Sequence, residues 1–165
     1  MLYPTTKACT ELLFPYIRAR MASEEPAPDY ESECKGIERL GSILEFMQRP
    51  EYDSLLGKAA YLFCSIIDGH HFSNGNKRLA VSALVYFLLA NGCRIHAPNM
   101  EVMRSELERA FPDLRWDDVQ SFSQPHEFFF YHLALIIADR TQKGAMNFQQ
   151  EQEAVATMLQ VIVLK

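Results

Sequence analysis

Residues 69–78 of this chain read Gly69-His70-His71-Phe72-Ser73-Asn74-Gly75-Asn76-Lys77-Arg78. The run that follows, residues 79–90, is apolar on nearly every side of a helix. A helix of that kind is buried, because no face of it suits water. Gly92 lies where such a helix would stop. The stretch therefore predicts a central buried helix over residues 76–91, with a polar loop that leads into it.

Helical periodicity also dominates the rest of the chain, and the alternation typical of strands is nearly absent. Thr5 or Thr6 can cap a first helix, which ends before the proline-rich and acidic loop 23–29. A last helix within 145–165 begins at the capping pair Asn147 and Gln150. Between these two, helices are predicted over residues 37–47, 55–69, 76–91, 100–111 and 125–143. The pattern predicts an all-α fold.

Size and composition favour a single domain over residues 1–165. The chain is 48% apolar, which is enough to bury a core. A net charge of −5 without a basic tract argues against nucleic-acid binding. The N-terminus lacks the pattern of a signal peptide and the longest apolar run is too short to span a bilayer, so we expect a cytoplasmic protein without membrane contact. Four separated cysteines then indicate reduced core residues: Cys9, Cys34, Cys64 and Cys93.

The loop carries a candidate general base. A neutral imidazole at His70 can accept a hydroxyl proton near pH 7, because the unperturbed pKa of histidine lies close to that value. Phe72 would bury its ring and so orient the preceding residues. His71 would be the base only if the register were shifted by one, and the position of Phe72 argues against that. We therefore predict His70 as the catalytic residue and Phe72 as its anchor.

The second half of the loop has the features of a phosphate-binding site. Gly75 permits a tight turn and close approach of a ligand to the backbone. Asn76 opens the next helix, whose unpaired N–H groups and positive dipole end attract anions. Lys77 and Arg78 add cations and donors in the first turn, where they oppose the dipole unless an anion is near. The alternatives are a solvated helix start for Lys77 and Arg78 and a simple turn residue at Asn74.

These residues resemble the signature of the Fic/Doc family (filamentation induced by cAMP, death on curing), His-x-Phe-x-acid-Gly-Asn-x-Arg. The Asn-Lys-Arg ending is closer to the Doc branch than to the adenylylating Fic branch. That branch has Gly where Lys77 stands and a second Arg where Val81 stands. The flanking stretches 41–45, 49–50 and 83–92 are similar to the family as well, so the resemblance covers roughly residues 36–92.

The resemblance implies a Fic/Doc-type helical bundle around the central helix, with a short β-hairpin flap near residues 48–53 that aligns a target protein. It implies a transferase that uses ATP or another nucleoside triphosphate, with Mg²⁺, to modify a side-chain hydroxyl of that target. Doc-like phosphotransfer is favoured over adenylylation (AMPylation). Gly75, Asn76, Lys77 and Arg78 would bind the nucleotide phosphates, and Asn74 would lie near the metal.

Two departures from the family pattern bear on activity and control. Asn74 replaces the metal-binding acid, and a neutral amide holds Mg²⁺ more weakly than a carboxylate. The alternative is therefore a catalytically weak binding module. The family's inhibitory pattern, Ser/Thr-x-x-x-Glu-Gly/Asn, is matched only by Ser123 to Glu127, and Phe128 follows where Gly or Asn is required. The resemblance to Doc then implies a separate antitoxin-type inhibitor, whose disordered tail would order on binding.

Overall fold

The computed structural model describes residues 1–21, 28–96, 99–111 and 124–164. Most of the predicted loop 23–29 lies outside these ranges, and so does Ser123 of the inhibitory pattern. Within these ranges the regular secondary structure is almost entirely helical, so the all-α prediction is confirmed. The helices are α1 (Thr6–Ala8), α2 (Phe14–Arg20), α3 (Cys34–Phe46), α4 (Leu55–Asp68), α5 (Asn76–Ala90), α6 (Met100–Ala110), α7 (Pro125–Gln142) and α8 (Phe148–Ile162).

Side-chain caps begin several helices where the sequence predicts them. Thr5 accepts a hydrogen bond from Ala8 N, and Asn99 accepts one from Val102 N. Asn147 and Gln150 form the reciprocal capping box at the start of α8. Each cap satisfies a backbone N–H group that has no partner within its helix. The helix starts are therefore set by local chemistry, which is why they were predictable.

The N-terminal helix contains a π-helical turn, Cys9–Leu13, between α1 and α2. Phe14 N donates to Cys9 O, five residues back, and Pro15 follows in the first turn of α2. A proline inside a helix has no N–H to donate and its ring clashes with the carbonyl four residues earlier. The wider turn accommodates Pro15 without breaking the helix.

Helix α5 forms the centre of the core, as predicted. It packs against α4, α7 and α2, and α8 covers another side of α4. Leu79, Ala83, Leu84 and Phe87 of α5 have no exposed surface. The left-handed Gly92, with φ 76°, follows its C-terminal end. The loop that precedes α5 is therefore attached to a helix whose residues are mostly buried.

The predicted hairpin flap is not found at residues 48–53, which form turns. Lys58, which is 5% exposed, donates from Nζ to Met47 O (2.8 Å) and Arg49 O (2.9 Å), and Pro50 has no N–H to offer. Together with the turn bonds from Arg49 N to Phe46 O and from Tyr52 N to Arg49 O, these bonds hold the segment in turns instead of strands. The two short strands of the described chain, β1 (Arg94–Ile95) and β2 (Val163–Leu164), instead pair antiparallel with each other.

Three of the four cysteines are buried as predicted, but Cys34 is exposed at the start of α3. The prediction of a core position for Cys34 was wrong, because the first residue of this helix faces solvent. Burial raises the pKa of the Cys9 thiol to about 12, so Cys9 is inert. Among the described residues, no helix is long and apolar enough to cross a membrane.

Candidate functional site

His70 lies on the short link between α4 and α5 and is exposed to solvent. Its φ of 41° is in the left-handed region, and it is the only non-glycine residue of the described chain with a positive φ. Such a backbone costs on the order of 1–2 kcal/mol for an L-residue and persists only where its surroundings impose it. The backbone of His70 is thus imposed by its surroundings, while its side chain is exposed.

Phe72 anchors the loop in the core, as the sequence predicts. It is 3% exposed and packs edge-on against the rings of Phe14 (centroids 6.0 Å apart) and Tyr30 (4.9 Å). Gly36 of α3 makes room for it, since a Cβ there would lie 2.6 Å from Phe72 Cε1. Phe72 also exchanges two hydrogen bonds with Asn76: Phe72 N donates to Asn76 Oδ1 (3.1 Å) and Asn76 Nδ2 donates to Phe72 O (2.7 Å). Asn76 therefore fastens the loop to the helix that it opens.

Gly75 occupies a conformation and a space that no other residue suits. Its φ is 79°, and its carbonyl accepts a hydrogen bond from the buried Tyr30 hydroxyl at 2.8 Å. A Cβ at this position would lie 2.3 Å from Tyr30 Oη and 2.4 Å from Pro28 Cγ. The backbone of the loop is thereby fixed from behind, and its other face stays open at the N-terminal end of α5.

Asn74 and Arg78 are joined to each other. Asn74 Oδ1 accepts from Gly75 N (2.6 Å) and from Arg78 Nη2 (3.3 Å). Arg78 is only 4% exposed and also donates from Nη1 to Met21 O at 3.1 Å. Arg78 is therefore not a solvated helix residue, and the alternative stated above is excluded for it. Lys77, by contrast, is partly exposed.

Glu33 holds the outer side of the loop, and no sequence pattern predicted this contact. Its carboxylate accepts from Ser73 N (2.9 Å) and from Ser73 Oγ (2.6 Å). Forty positions separate these two residues, so no local pattern links them. The loop is thus fixed at three points, by Glu33 outside, by Tyr30 behind and by Asn76 at the helix start.

One cavity of about 160 Å³ brings the predicted functional residues together. Tyr131 and Gln142 of α7 and Ile67 of α4 form its far wall, and no acidic residue is among the described residues that line it. An imidazole, two cationic side chains and the N-terminal end of α5 therefore face a common space, a combination suited to an anion with a reacting hydroxyl beside it. The loop residues that line the cavity are His70, Ser73, Asn74, Gly75, Asn76, Lys77 and Arg78.

His71 faces away from this cavity. Its Nε2 lies 3.2 Å from Ser65 O, and burial is the main cause that lowers its pKa. The ring packs so closely under Gly69 that a Cβ at residue 69 would lie 2.0 Å from His71 Nε2. His71 thus has a packing role at the end of α4, and the geometry supports His70 as the base.

The loop offers little to a metal ion held by protein alone. Among the described residues there is no group of three or more His, Cys, Asp or Glu side chains that could hold one. Asn74 Oδ1 already accepts from two donors, so a cation there would compete with Arg78. Mg²⁺ that enters on nucleotide phosphates needs only one or two protein ligands. A role for Asn74 in metal binding stays a prediction.

Comparisons with known proteins agree with the resemblance seen in the loop. Residues 20–88 match the model of the Fic/DOC family. This segment contains α3, α4, the loop and nearly all of α5. A search of curated proteins and one of solved structures found no match for the chain. Residues 20–88, with the loop and the helix behind it, are therefore similar to the Fic/DOC family.

Proposed function

We propose that this protein transfers a phosphoryl or nucleotidyl group from a nucleoside triphosphate to a side-chain hydroxyl of another protein. The observation that carries the proposal is the shared cavity, where His70 faces the same space as Lys77, Arg78 and the first turn of α5. Catalysis of this kind depends mainly on positioning and on compensation of phosphate charge. The loop offers a fixed backbone for positioning, and Lys77 and Arg78 for charge compensation.

In the proposed step His70 accepts the proton of the target hydroxyl as its oxygen attacks phosphorus. The bond between that phosphorus and the bridging oxygen breaks, and a nucleoside diphosphate or pyrophosphate leaves, depending on which phosphate is attacked. Lys77 and the N–H groups at the start of α5 would compensate the charge on the phosphate oxygens, with Arg78 beside them. Mg²⁺, if it enters with the nucleotide, would supply further charge compensation.

Phosphotransfer, with the nucleoside diphosphate as leaving group, is the favoured reaction. In the adenylylating branch that the motif resembles less, a second arginine stands where this chain has Val81. Val81 is 1% exposed and lies on the buried side of α5, so it offers no donor to a phosphate. The alternative function, a binding module without catalysis, is supported by Asn74 in place of the acid.

Control by a separate inhibitory protein remains part of the proposal. Glu127, the glutamate of the only match to the inhibitory pattern, is 7% exposed and accepts a hydrogen bond from Tyr16. It is thus engaged at the start of α7 and does not line the cavity among the described residues. An antitoxin-type partner would have to supply the group that blocks the phosphate site.

Labelled nucleotides test the proposal directly. We expect label from the γ-phosphate of ATP or GTP, and not from the α-phosphate, to appear on protein when the purified chain is added to a bacterial lysate. His70→Ala should abolish this transfer but leave nucleotide affinity within about three-fold, because a base acts on the hydroxyl and contributes little to phosphate binding.

His96→Ala is the matched control, since His96 is exposed and lies outside the cavity. Transfer of the α-label would establish nucleotidyl transfer instead. Equal labelling by wild type and His70→Ala would contradict the role of His70 as the base. Nucleotide binding without any transfer would favour the binding module.

A further inference from the structure

Three side chains form a polar cluster beneath the cavity, where the last turns of α4 and α7 meet the first turn of α8. Thr141 Oγ1 lies 3.1 Å from Asp68 Oδ1 and 2.9 Å from Ile137 O, and it also contacts Glu151 Oε1. A hydroxyl carries a single hydrogen and can satisfy only one of these three acceptors. The cluster therefore lacks donors.

The two carboxyl groups of the cluster meet at one hydroxyl, since Thr141 Oγ1 contacts an oxygen of each. Glu151 is 1% exposed, and its buried Oε2 has no hydrogen-bond partner among the described residues. Glu151 is buried and Asp68 is half-buried, so two ionised carboxylates here would repel each other with little screening by water, and the pair favours holding one proton. A proton held between them satisfies the free oxygen and removes one charge.

The helix ends indicate which group carries the proton. Asp68 is the last residue of α4, where the negative end of the helix dipole disfavours a carboxylate, whereas Glu151 lies in the first turn of α8, where the positive end favours one. Burial first, and then the hydrogen bond and charge of Glu151, raise the pKa of Asp68 to about 7, and the Thr141 hydroxyl opposes this. The thiol of Cys64, one turn earlier on α4, has its pKa raised by burial and by both carboxyls.

The cluster is connected directly to the site. Asp68 is two residues before His70, and its neighbour Ile67 lines the cavity. Thr141 is likewise followed by Gln142, which also lines the cavity. His70 holds a strained backbone with φ 41°, so the end of α4 must be fixed for that conformation to persist.

We propose that Asp68 positions His70 by sharing one proton with Glu151 in a carboxylic acid–carboxylate hydrogen bond. The pair ties α4 to α8 while the proton is present. Loss of the proton leaves two adjacent carboxylates, which separate and release the link that carries His70. This inference rests on the proposed role of His70 as the base, and Asp68 itself touches no substrate.

Nuclear magnetic resonance tests the positioning without any need for activity. We expect one carboxyl carbon of the Asp68–Glu151 pair to titrate near pH 7, and the backbone amides of Gly69 and His70 to shift with the same midpoint. Asp68→Asn replaces the protonated acid by an amide that still donates to Glu151, so it should abolish this shared titration. Glu153→Gln, an exposed position on α8, is the matched control and should leave it unchanged.

Enzyme kinetics provide the second measurement. Between about pH 6.5 and 8.5 we expect kcat of the wild type to fall by roughly tenfold, with KM for the nucleotide nearly constant, as a carboxyl with a pKa near 7 loses its proton. Asp68→Asn should keep its kcat over this range. An absence of transfer in the wild type would overturn the proposed function alone, because the resonance measurement decides the positioning independently.

Three results would overturn the inference: both carboxyls titrating below about pH 5, amides of Gly69 and His70 that do not follow the pair, or a carboxyl resonance that responds to K⁺ or Ca²⁺ rather than to pH. The last would mean that a cation, not a proton, joins the two groups.

Discussion

Lys77 and Arg78 are neighbours in the sequence, yet their side chains differ in burial and in hydrogen bonding. Arg78 is buried and donates to Met21 O and Asn74 Oδ1, whereas Lys77 is partly exposed at the rim of the cavity. A nucleotide phosphate would meet a free ammonium at one position and a pre-oriented guanidinium at the other. Their substitution should therefore have different effects on folding.

We predict that Lys77→Ala weakens ATP binding by about 1.5–3 kcal/mol, the value of a charge-assisted hydrogen bond, and leaves stability near that of the wild type. Arg78→Ala should weaken binding similarly and also lower the free energy of unfolding by about 2–3 kcal/mol, because the buried Met21 O loses its charged donor and Asn74 Oδ1 loses one of its two. Isothermal titration calorimetry and urea denaturation measure the two effects. Unchanged affinity in both variants would contradict a phosphate site here.

Asn74→Asp restores the acid that the family has at this position. The new carboxylate would lie beside Arg78 Nη2 and Gly75 N, so we expect the variant to be more stable by about 1 kcal/mol, since ionised acceptors form stronger hydrogen bonds. We also expect stronger Mg²⁺-dependent nucleotide binding. Titrations with and without Mg²⁺ separate the two effects. Higher stability with unchanged metal dependence would restrict Asn74 to a role in loop structure.

Sequence spacing predicted the buried ring of Phe72 and the tight turn at Gly75, because both features are local to one loop. The role of His70 as a base stays a prediction. The supports of that loop, Tyr30 and Glu33, could not be predicted. Each joins it by a contact across 40 or more residues, and nothing near either residue marks that partner.

At the scale of elements, the start of α5 depends on one glycine. Gly75 combines a left-handed backbone with a missing Cβ that would otherwise meet Tyr30 Oη at 2.3 Å. Gly92, just after the other end of the same helix, has nearly the same φ, 76°, but a Cβ there would meet nothing within 4 Å. Substitutions at the two glycines therefore distinguish the free-energy cost of a left-handed backbone from the cost of a steric clash.

We predict that Gly92→Ala lowers the free energy of unfolding by about 1–2 kcal/mol, the cost of a left-handed L-residue alone. Gly75→Ala should cost more than this, and by roughly 1–3 kcal/mol more, because an overpacked site must also shift its neighbours. Chemical denaturation of both variants gives the difference. Equal losses would show that Tyr30 moves aside freely.

Most helices were predictable because apolar periodicity and side-chain caps are read within a few residues. The elements that were not, the π-turn at Cys9–Leu13 and the pairing of β1 with β2, depend on less local causes. Pro15 allows a break as readily as a widened turn, and β1 and β2 are too short to show alternation. The flap region forms turns instead of a hairpin, with Tyr52 N bonded to Arg49 O and Lys58 of the next helix bonded to Met47 O and Arg49 O.

For the whole molecule, buried histidines and the Asp68–Glu151 pair give opposite pH dependences. Burial lowers the pKa of His71, His126 and His132 below the ordinary 6.5, so the unfolded chain binds more protons and stability falls as the pH drops below about 6.5. The pKa of Asp68 is instead raised from 3.8 to about 7, so its contribution is complete below 3.8 and is lost as the pH rises to 7.

We predict that the free energy of unfolding is greatest near pH 6.5, since three histidines outweigh one acid below that value. Urea denaturation from about pH 5 to 8 would show the maximum. His132→Gln should flatten the acid side and Asp68→Asn the alkaline side. A stability that is independent of pH over this range would contradict both effects.

Leu2 and Leu164 both lie near the C-terminal end of α5. Leu2 exchanges hydrogen bonds with Asn91, and Leu164 pairs with Arg94 in the small sheet. The cavity that His70 lines is at the opposite end of that helix, whose 15 residues span about 22 Å. A fluorophore or surface tether attached beside either residue would therefore lie far from the cavity. It could label or immobilise the protein while a large target still reaches His70.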